Sequence, residues 1–319
     1  MPRPGGSRSA PTGREAPPPA GMRIYVTGAS GFVGGHVERE LVEHGAEVRT
    51  ERVDLLDPAG LGRAMENCEA VVHVAALYSY DADPAEIERV NVEGTRNVIE
   101  ACLGRGVRRL LYTSTAGTCG PVPGREATEA DGPPPWELTV PYKRTKLAAE
   151  RLVLAAAREA LDAVVVNPTT PVGDGDRKPT PTGRVIAGVA SGSIRGYVAT
   201  TGLNVVDVRD VARGHALALE RGARGERYLL GGVNLPLRDL FAAVADLAGR
   251  ARPRLRVPYV LAVAAARAGL ANRDEVQLAR LPMYFSSEKA QNRLGYRPGP
   301  VTPALARAVK EAVDGRGWA

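Results

Sequence analysis

Three cysteines and four histidines in 319 residues leave little material for metal or disulfide chemistry. Cys68, Cys102 and Cys119 are odd in number and lack the close pairing of a zinc site, and no His-Glu-x-x-His pair occurs. This argues against a structural metal, so no metal ligands are expected, and a reducing, cytoplasmic setting fits. Long apolar runs are missing too. The opening "MPRPGGSRSAPTGREAPPPAG" carries Pro, Gly and Arg but no signal-peptide core, so residues 1–21 are expected to be a disordered extension. The most apolar later stretch, "YVLAVAAARAGLA", is short and broken by Arg267, which argues against a membrane span. A formal charge of +6 suits nucleic acid, an anionic membrane or a phosphorylated ligand. The arginines are scattered through expected helices and loops, however, so no nucleic-acid partner is expected.

What the chain does contain is an ordinary globular balance, 44% hydrophobic and 24% charged, with length for one large domain and a smaller lobe. From Met22 onward short β-branched runs alternate with helical segments. Strands are expected over 23–27, 47–49, 70–74, 109–113 and 163–167, and helices over 32–44, 58–67, 84–104 and 141–160. Strands separated by helices imply right-handed crossovers and a parallel sheet covered on both faces, an α/β doubly wound architecture over 22–170. The connection within "AEVRTERVDLLDPAGL" is compressed. Past Pro168, Pro/Gly-rich loops precede helices over 182–192, 208–221, 237–249 and 286–294, with strands near 204–206 and 227–230. Residues 171–319 show no full strand-helix-strand repeat and are expected to form mainly a smaller C-terminal substrate-binding lobe.

"VTGASGFVGGHV" follows the first strand and opens the first helix. Gly28, Gly31 and Gly34 permit a tight turn, close approach of a pyrophosphate and close helix–strand packing, while Ser30, Phe32 and Val33 lie along the same loop and helix start. The helix N-terminus presents free N–H groups to phosphate, so a dinucleotide is expected here. Cofactor choice depends on the end of the second strand, where an acidic side chain binds the ribose hydroxyls and a basic one favours a 2′-phosphate. Arg49, Glu51 and Arg52 offer both, leaving NAD and NADP open. Asp54 and Leu55 are placed to flank the adenine, and Asp54 also reads as a turn residue.

"VPYKRTKLAAERL" carries the chemistry. With ten tyrosines and five lysines, a Tyr-x-x-x-Lys spacing arises by chance about 0.2 times, so the spacing alone is suggestive. On a helix, residues four apart share a face, which puts the Lys146 ammonium beside Tyr142. A neighbouring positive charge lowers a phenol pKa and suits it to exchange a proton with an alcohol or carbonyl. In "LLYTSTAGTCG" an apolar strand ends in small hydroxyls at the sheet edge that receives ligands, where Ser114 and Thr115 can donate to a substrate oxygen.

Taken in order, "TGASGFVG", "VVHVAAL", "NVEGTRNVIEAC", "YTSTAGTCG", "YKRTK" and "NPTTPVG" resemble the extended short-chain dehydrogenase/reductase superfamily over roughly residues 22–305. The late "FSSEKAQNRLGYRP" is similar to that group's characteristic helix. The resemblance implies a Rossmann sheet, Tyr142 as acid/base, Lys146 as its pKa partner, Thr115 as the aligned hydroxyl and Asn91 supporting the lysine in a proton relay. It also implies that Val74, Ala75, Ala76 and Thr113 line the cofactor and that Pro168, Thr169 and Thr170 pass near the nicotinamide.

Finer matches in "NPTTPVGDGDRKPTPTGRVI" and "TGLNVVDVRDVARGHALALERG" resemble the hopanoid-associated sugar epimerase group, itself similar to dihydroflavonol reductases. Sugar-nucleotide 4,6-dehydratases place an Asp-Glu pair after the catalytic threonine; here Ala116 and Gly117 follow, which disfavours elimination. An NAD-retaining epimerase and an NADPH-dependent reductase both remain, since Tyr142, Lys146 and Thr115 serve either. For a small-molecule substrate, Leu77, Tyr78, Tyr80 and Ala116 are candidate cleft walls, and Lys178, Arg184 and Arg195 are candidate phosphate ligands or plain surface charges. Cys119 reads as packing, and Trp136 as a lid or a turn anchor. The helices at 84–104 and 141–160 resemble those of a four-helix dimer interface in relatives, so Ile87, Val90, Val98, Leu147 and Leu154 make a homodimer an expectation. A non-catalytic dinucleotide sensor would be expected to lose the Tyr–Lys pair that this chain keeps.

Overall fold

Short β-branched runs bounded by turns build the first half of the molecule, of which the computed structural model describes residues 21–78 and 82–315. The strands are β1 (Arg23–Thr27), β2 (Glu47–Arg49), β3 (Ala70–His73), β4 (Arg109–Thr113) and β5 (Asp162–Pro168). Between them lie α1 (Phe32–Glu43), α2 (Pro58–Ala64), α3 (Pro84–Glu88), α4 (Gly94–Arg105) and α5 (Pro141–Glu159). The second half holds β6 (Thr170–Val172), α6 (Pro181–Ser191), β7 (Gly196–Val198), β8 (Gly202–Asp207), α7 (Val208–Arg221), β9 (Arg227–Leu230) and β10 (Val233–Pro236). It continues with α8 (Leu237–Leu247), β11 (Leu255–Val257), α9 (Tyr259–Arg267), α10 (Arg273–Leu278), α11 (Glu288–Leu294) and α12 (Thr302–Asp314).

The main sheet is wholly parallel, in the order β2-β1-β3-β4-β5-β9. Ile24, Val71, Val72, Leu110, Leu111, Val164 and Val166 are completely buried, as a parallel sheet with helices on both faces requires. The order reverses between β1 and β3, and the crevice outside their carboxyl ends is where such sheets take ligands.

Two sequence expectations change here. Residues 84–104 were expected as one helix, but α3 and α4 are joined by a π-helical turn over Arg89–Glu93, with Asn91 at its centre. The wider turn inserts a residue, which re-aims Asn91 inward to 2% exposure. Residues 227–230 were expected in the lobe, yet β9 pairs with β5 and completes the main sheet, and α7 packs against α1. Residues 171–319 therefore contribute to the sheet layer as well as to the lobe.

The lobe itself has a three-stranded sheet, β10-β8-β6, and a β11-β7 pair. Val172, Ile186, Val189, Val205, Leu240, Phe241 and Leu305 close its core between α6, α8 and α12. The amphipathic pattern of α12, with Ala304, Leu305 and Val309 buried, is a helical signal the sequence reading passed over. Of the residues expected at a dimer seam, Ile87, Val98 and Leu147 are buried within the chain, and Val90 and Leu154 are partly buried against the core that holds Val98. Among the described residues no helix is long and apolar enough to cross a membrane.

Candidate active site

The glycine loop is fixed by sterics. Gly28 has φ +73°, and a β-carbon there would stand 2.7 Å from the Ala75 nitrogen, while one at Gly34 would collide with the Gly28 carbonyl. The N-terminus of α1 has Gly31 as its cap, no side-chain cap and no acid in its first turn, so its N–H groups point outward from Phe32 and Val33 unclaimed by side chains. Thr27 Oγ1 accepts from the Val74 and Ala75 nitrogens, both at 3.1 Å, and lies 2.7 Å from His73 Nδ1. The exit of β3, Val74–Ala76, is thereby pinned beside the loop. Burial pushes His73 down to about 3, so it is a neutral link between Thr27 and Thr95, 3.2 Å from its Nε2.

On the catalytic helix, α5 begins with Pro141 and places Tyr142 and Lys146 one turn apart. Lys146 Nζ donates to the Thr113 carbonyl at 2.6 Å and lies 4.3 Å from the centroid of the Tyr112 ring. Burial pushes the Lys146 ammonium down to about 7, and the Glu150 carboxylate opposes that shift. Tyr142 keeps part of its surface open and stacks on Tyr78, with centroids 4.3 Å apart. Desolvation, followed by the Tyr78 phenol, holds Tyr142 well above its ordinary value. Within the protein alone, burial outweighs any effect of the ammonium, which is directed at Thr113 and Tyr112, so the phenol is shifted up rather than down.

Thr115 caps a 3-10 turn over Ala116–Thr118, its oxygen accepting from the Gly117 nitrogen at 3.3 Å, which leaves its own hydroxyl hydrogen available. Beside it, Ser114 Oγ is buried with no hydrogen-bond partner among the described residues. Asn91 makes no direct hydrogen bond to Lys146. Its amide clamps the Leu77 backbone (2.7 and 3.1 Å) and donates to Thr145 Oγ1 at 3.2 Å. Thr113 turns its hydroxyl toward His215 Nε2, 2.9 Å away, so its carbonyl is the group facing the site.

At the end of β2 lies an open depression of about 350 Å³ lined by Arg49, Glu51, Arg52, Asp54 and Arg63 among others. Arg49 is engaged with Glu51 at 2.5 Å and with the Glu66 carbonyl at 3.0 Å. Arg52 has no acidic partner among the described residues. Asp54 accepts from the Leu56 nitrogen at 3.0 Å, a turn contact that leaves it at the depression, and Leu55 packs against Gly94.

The remaining candidates divide. Pro168, Thr169 and Thr170 leave the sheet at the same edge, with the Thr169 nitrogen donating to the Leu230 carbonyl at 3.3 Å. Tyr80 lies outside the described residues. Lys178 is exposed, and Arg184 faces Glu275 at 3.8 Å and donates to the Pro179 carbonyl. Cys119 is fully buried against Ala116, Leu229 and Phe285, its thiol pushed up to about 12, which makes it packing. Trp136 gives its carbonyl to Gln277 at 2.6 Å and its ring face to Arg280, anchoring the loop before α5 to α10.

Two buried polar groups were missed by the sequence reading. Glu150, 1% exposed, accepts from Thr118 Oγ1 (2.7 Å), Asn167 Nδ2 (2.8 Å) and Arg227 Nη1 (2.8 Å), tying α5 to β5, β9 and the turn that carries Thr115. Its signal was the Lys146 to Glu150 spacing, one turn further along the catalytic helix. Glu137, wholly buried, pairs with Lys143 at 3.1 Å, and a methyl at Gly117 would collide with the Lys143 side chain.

The model of the NAD dependent epimerase/dehydratase family matches residues 24–231. The chain belongs to that family. A Synechocystis protein named for dihydroflavonol 4-reductase is 36% identical over 320 residues, covering 90% of this chain and 93% of the relative. Sterol demethylase protein B of Methylococcus capsulatus is 32% identical, covering 90% and 97%. Among solved structures, a nucleoside-diphosphate-sugar epimerase from Pseudomonas aeruginosa is 29% identical with a TM-score of 0.78, covering 94% and 100%. As a member of the epimerase/dehydratase family, the chain is an NAD(P)-dependent enzyme of the extended short-chain dehydrogenase/reductase type. The left-handed Gly28, the uncapped start of α1 and the unpartnered Ser114 at the sheet edge all fit a bound dinucleotide.

Proposed function

We propose that this chain is an NADPH-dependent reductase that converts a ketone with an apolar body into a secondary alcohol. The observation that carries the reading is the Tyr78 ring against Tyr142, centroids 4.3 Å apart, which sets a phenol, the proton donor reduction needs at the carbonyl oxygen, beside an apolar wall. When bound, the dinucleotide supplies the hydride. Gly28, Gly31 and Gly34 with the start of α1 hold its pyrophosphate, and Val74–Ala76 and Pro168–Thr170 border it. Arg52 would hold the 2′-phosphate, with Arg49 beside it once released from Glu51.

Thr115 Oγ1 donates to the substrate oxygen and orients it. Tyr142 transfers its proton to that oxygen as negative charge develops there. The tyrosinate left behind lies one helical turn from Lys146, whose ammonium limits the cost of that charge. Asn91 acts at one remove, holding the Leu77 backbone and Thr145 beside the pair. The apolar character of the substrate is supported by the Tyr78 ring at the reacting phenol.

A second reading, an epimerase that retains NAD through an internal oxidation–reduction cycle, is favoured by the likeness to the nucleoside-diphosphate-sugar epimerase. Mass spectrometry of dinucleotide carried through purification, then fluorescence titration with NADH and NADPH, separates the two. An empty protein preferring NADPH supports the reductase. Retained NAD near one per subunit overturns it.

A further inference from the structure

Ten large hydrophobic side chains stand exposed on the described surface, and Leu247, Leu255, Val260, Leu261 and Leu270 fall within one stretch of 24 residues. The same stretch is strongly basic. Arginines occupy 250, 252, 254, 256, 267 and 273, and no acid occurs between Asp246 and Asp274. Asp246 neutralises Arg252 at 2.6 Å, but Arg250, Arg254, Arg267 and Arg273 are exposed without ion-pair partners among the described residues. Residues 247–273 therefore carry six cations and no acid of their own.

Helix α9 is seated the wrong way round for a surface helix in water. Ala262 and Ala266, 7% and 5% exposed, form its inner side, whereas Val260 (74%) and Leu261 (61%) lie outward with Ala264, Arg267 and Ala268. Leu270, 81% exposed, follows the left-handed turn at Gly269, and Leu255 on β11 precedes the helix through Pro258. Outward aliphatic side chains flanked in sequence by exposed arginines make a surface suited to a lipid–water interface.

We propose that this face docks on an anionic lipid bilayer, with Val260, Leu261 and Leu270 at the headgroup–acyl boundary and the free arginines on lipid phosphates. Charge complementarity selects this occupant: two copies meeting through a symmetric contact would set arginines against arginines. The face is also continuous with the site. Immediately after it, α10 sends Gln277 to the Trp136 carbonyl (2.6 Å) and Thr139 Oγ1 (2.5 Å), so the docked segment leads to the loop that precedes Tyr142. A substrate drawn from the bilayer would arrive there, a consequence that rests on the reductase reading, whereas docking itself does not.

The test is sedimentation of the full chain with vesicles of phosphatidylcholine containing one third phosphatidylglycerol, against phosphatidylcholine alone, at low and high salt. Binding is expected only to the mixed vesicles and is expected to weaken with salt. Each arginine at an anionic surface multiplies partition by about fivefold, so Arg254→Gln with Arg267→Gln should lower it about 25-fold. Leu261→Asp with Leu270→Asp should abolish it, and NADPH titration and melting of the same samples verify folding and judge the cofactor reading separately. Failure of the wild type to sediment with mixed vesicles, wild-type partition by both variants, or light scattering that shows these side chains holding a dimer would overturn the proposal.

Discussion

Replacing Glu150 by Gln removes one charge from a site where three donors converge and changes little else. Glu150 receives Thr118, Asn167 and Arg227 at 2.7–2.8 Å while only 1% exposed, so its charge is screened by protein alone. Hydrogen bonds to a buried charge contribute about 1.5–3 kcal/mol each, and glutamine still accepts one or two of the three. Arg227 keeps the Glu129 and Asp131 carbonyls, which softens the loss. The expected cost is therefore roughly 2–4 kcal/mol, below the figure of about 3–5 for stripping one partner from a buried pair outright. In a chain of 319 residues that lowers Tm by about 3–6 °C. Glu150 also opposes the fall of the Lys146 pKa, so its loss moves the deprotonation of Lys146 to lower pH. The assay is paired: thermal melting, and kcat for ketone reduction against pH. A variant that melts within a degree of wild type, with its alkaline limb unmoved, would refute the assignment of Glu150 to both roles.

Tyr142→Phe removes the proton donor and should reduce turnover by about 10²–10⁴, with NADPH binding by fluorescence unchanged. In the wild type, turnover in the reductive direction should fall as pH rises through about 7, where Lys146 loses its proton. Stability should move the opposite way: the folded pKa lies below the unfolded one, so burying the ammonium costs most below pH 7, and the melting temperature should rise from pH 7 towards about 10. Arg52→Gln should weaken NADPH by about tenfold and leave NADH unaffected; equal affinity for NADPH in both proteins would remove the arginine from the 2′-phosphate site.

The first half of the fold was legible because its signals are local. The glycine loop sits between an apolar strand and a helix, and the expected strands 23–27, 47–49 and 109–113 coincide with β1, β2 and β4. Signals that depend on tertiary placement were not legible. The run over 84–104 has no breaker at Asn91, so the π-turn follows from packing of Gly94 on Leu55 and from the Leu77 backbone rather than from propensity. Strand β9 looks like any short apolar run until β5 offers it an open edge. Tyr142 and Lys146 could be chosen from spacing, but spacing says nothing of dielectric, and burial rather than their mutual charge sets both pKa values. Arg49 shows the same limit, since its partner Glu51 is two residues away in sequence and still decides what the guanidinium can bind.

The late arrival of β9 has a consequence for how this molecule can be made. A ribosome that has released residues up to 170 has delivered β1 to β5 and every glycine of the loop, yet the fifth strand then ends as an open edge with Val164 and Val166 waiting for α7. Those side chains become buried only when the chain has passed through β6, α6, β7 and β8 and returned with α7 and β9. The nucleotide-binding half is consequently not a module that can be excised or grafted by cutting between the halves. A truncation at 170 would leave a sticky strand carrying Ala163, Val164, Val165 and Val166 for other nascent chains, whereas any viable transplant has to carry the chain through Leu230.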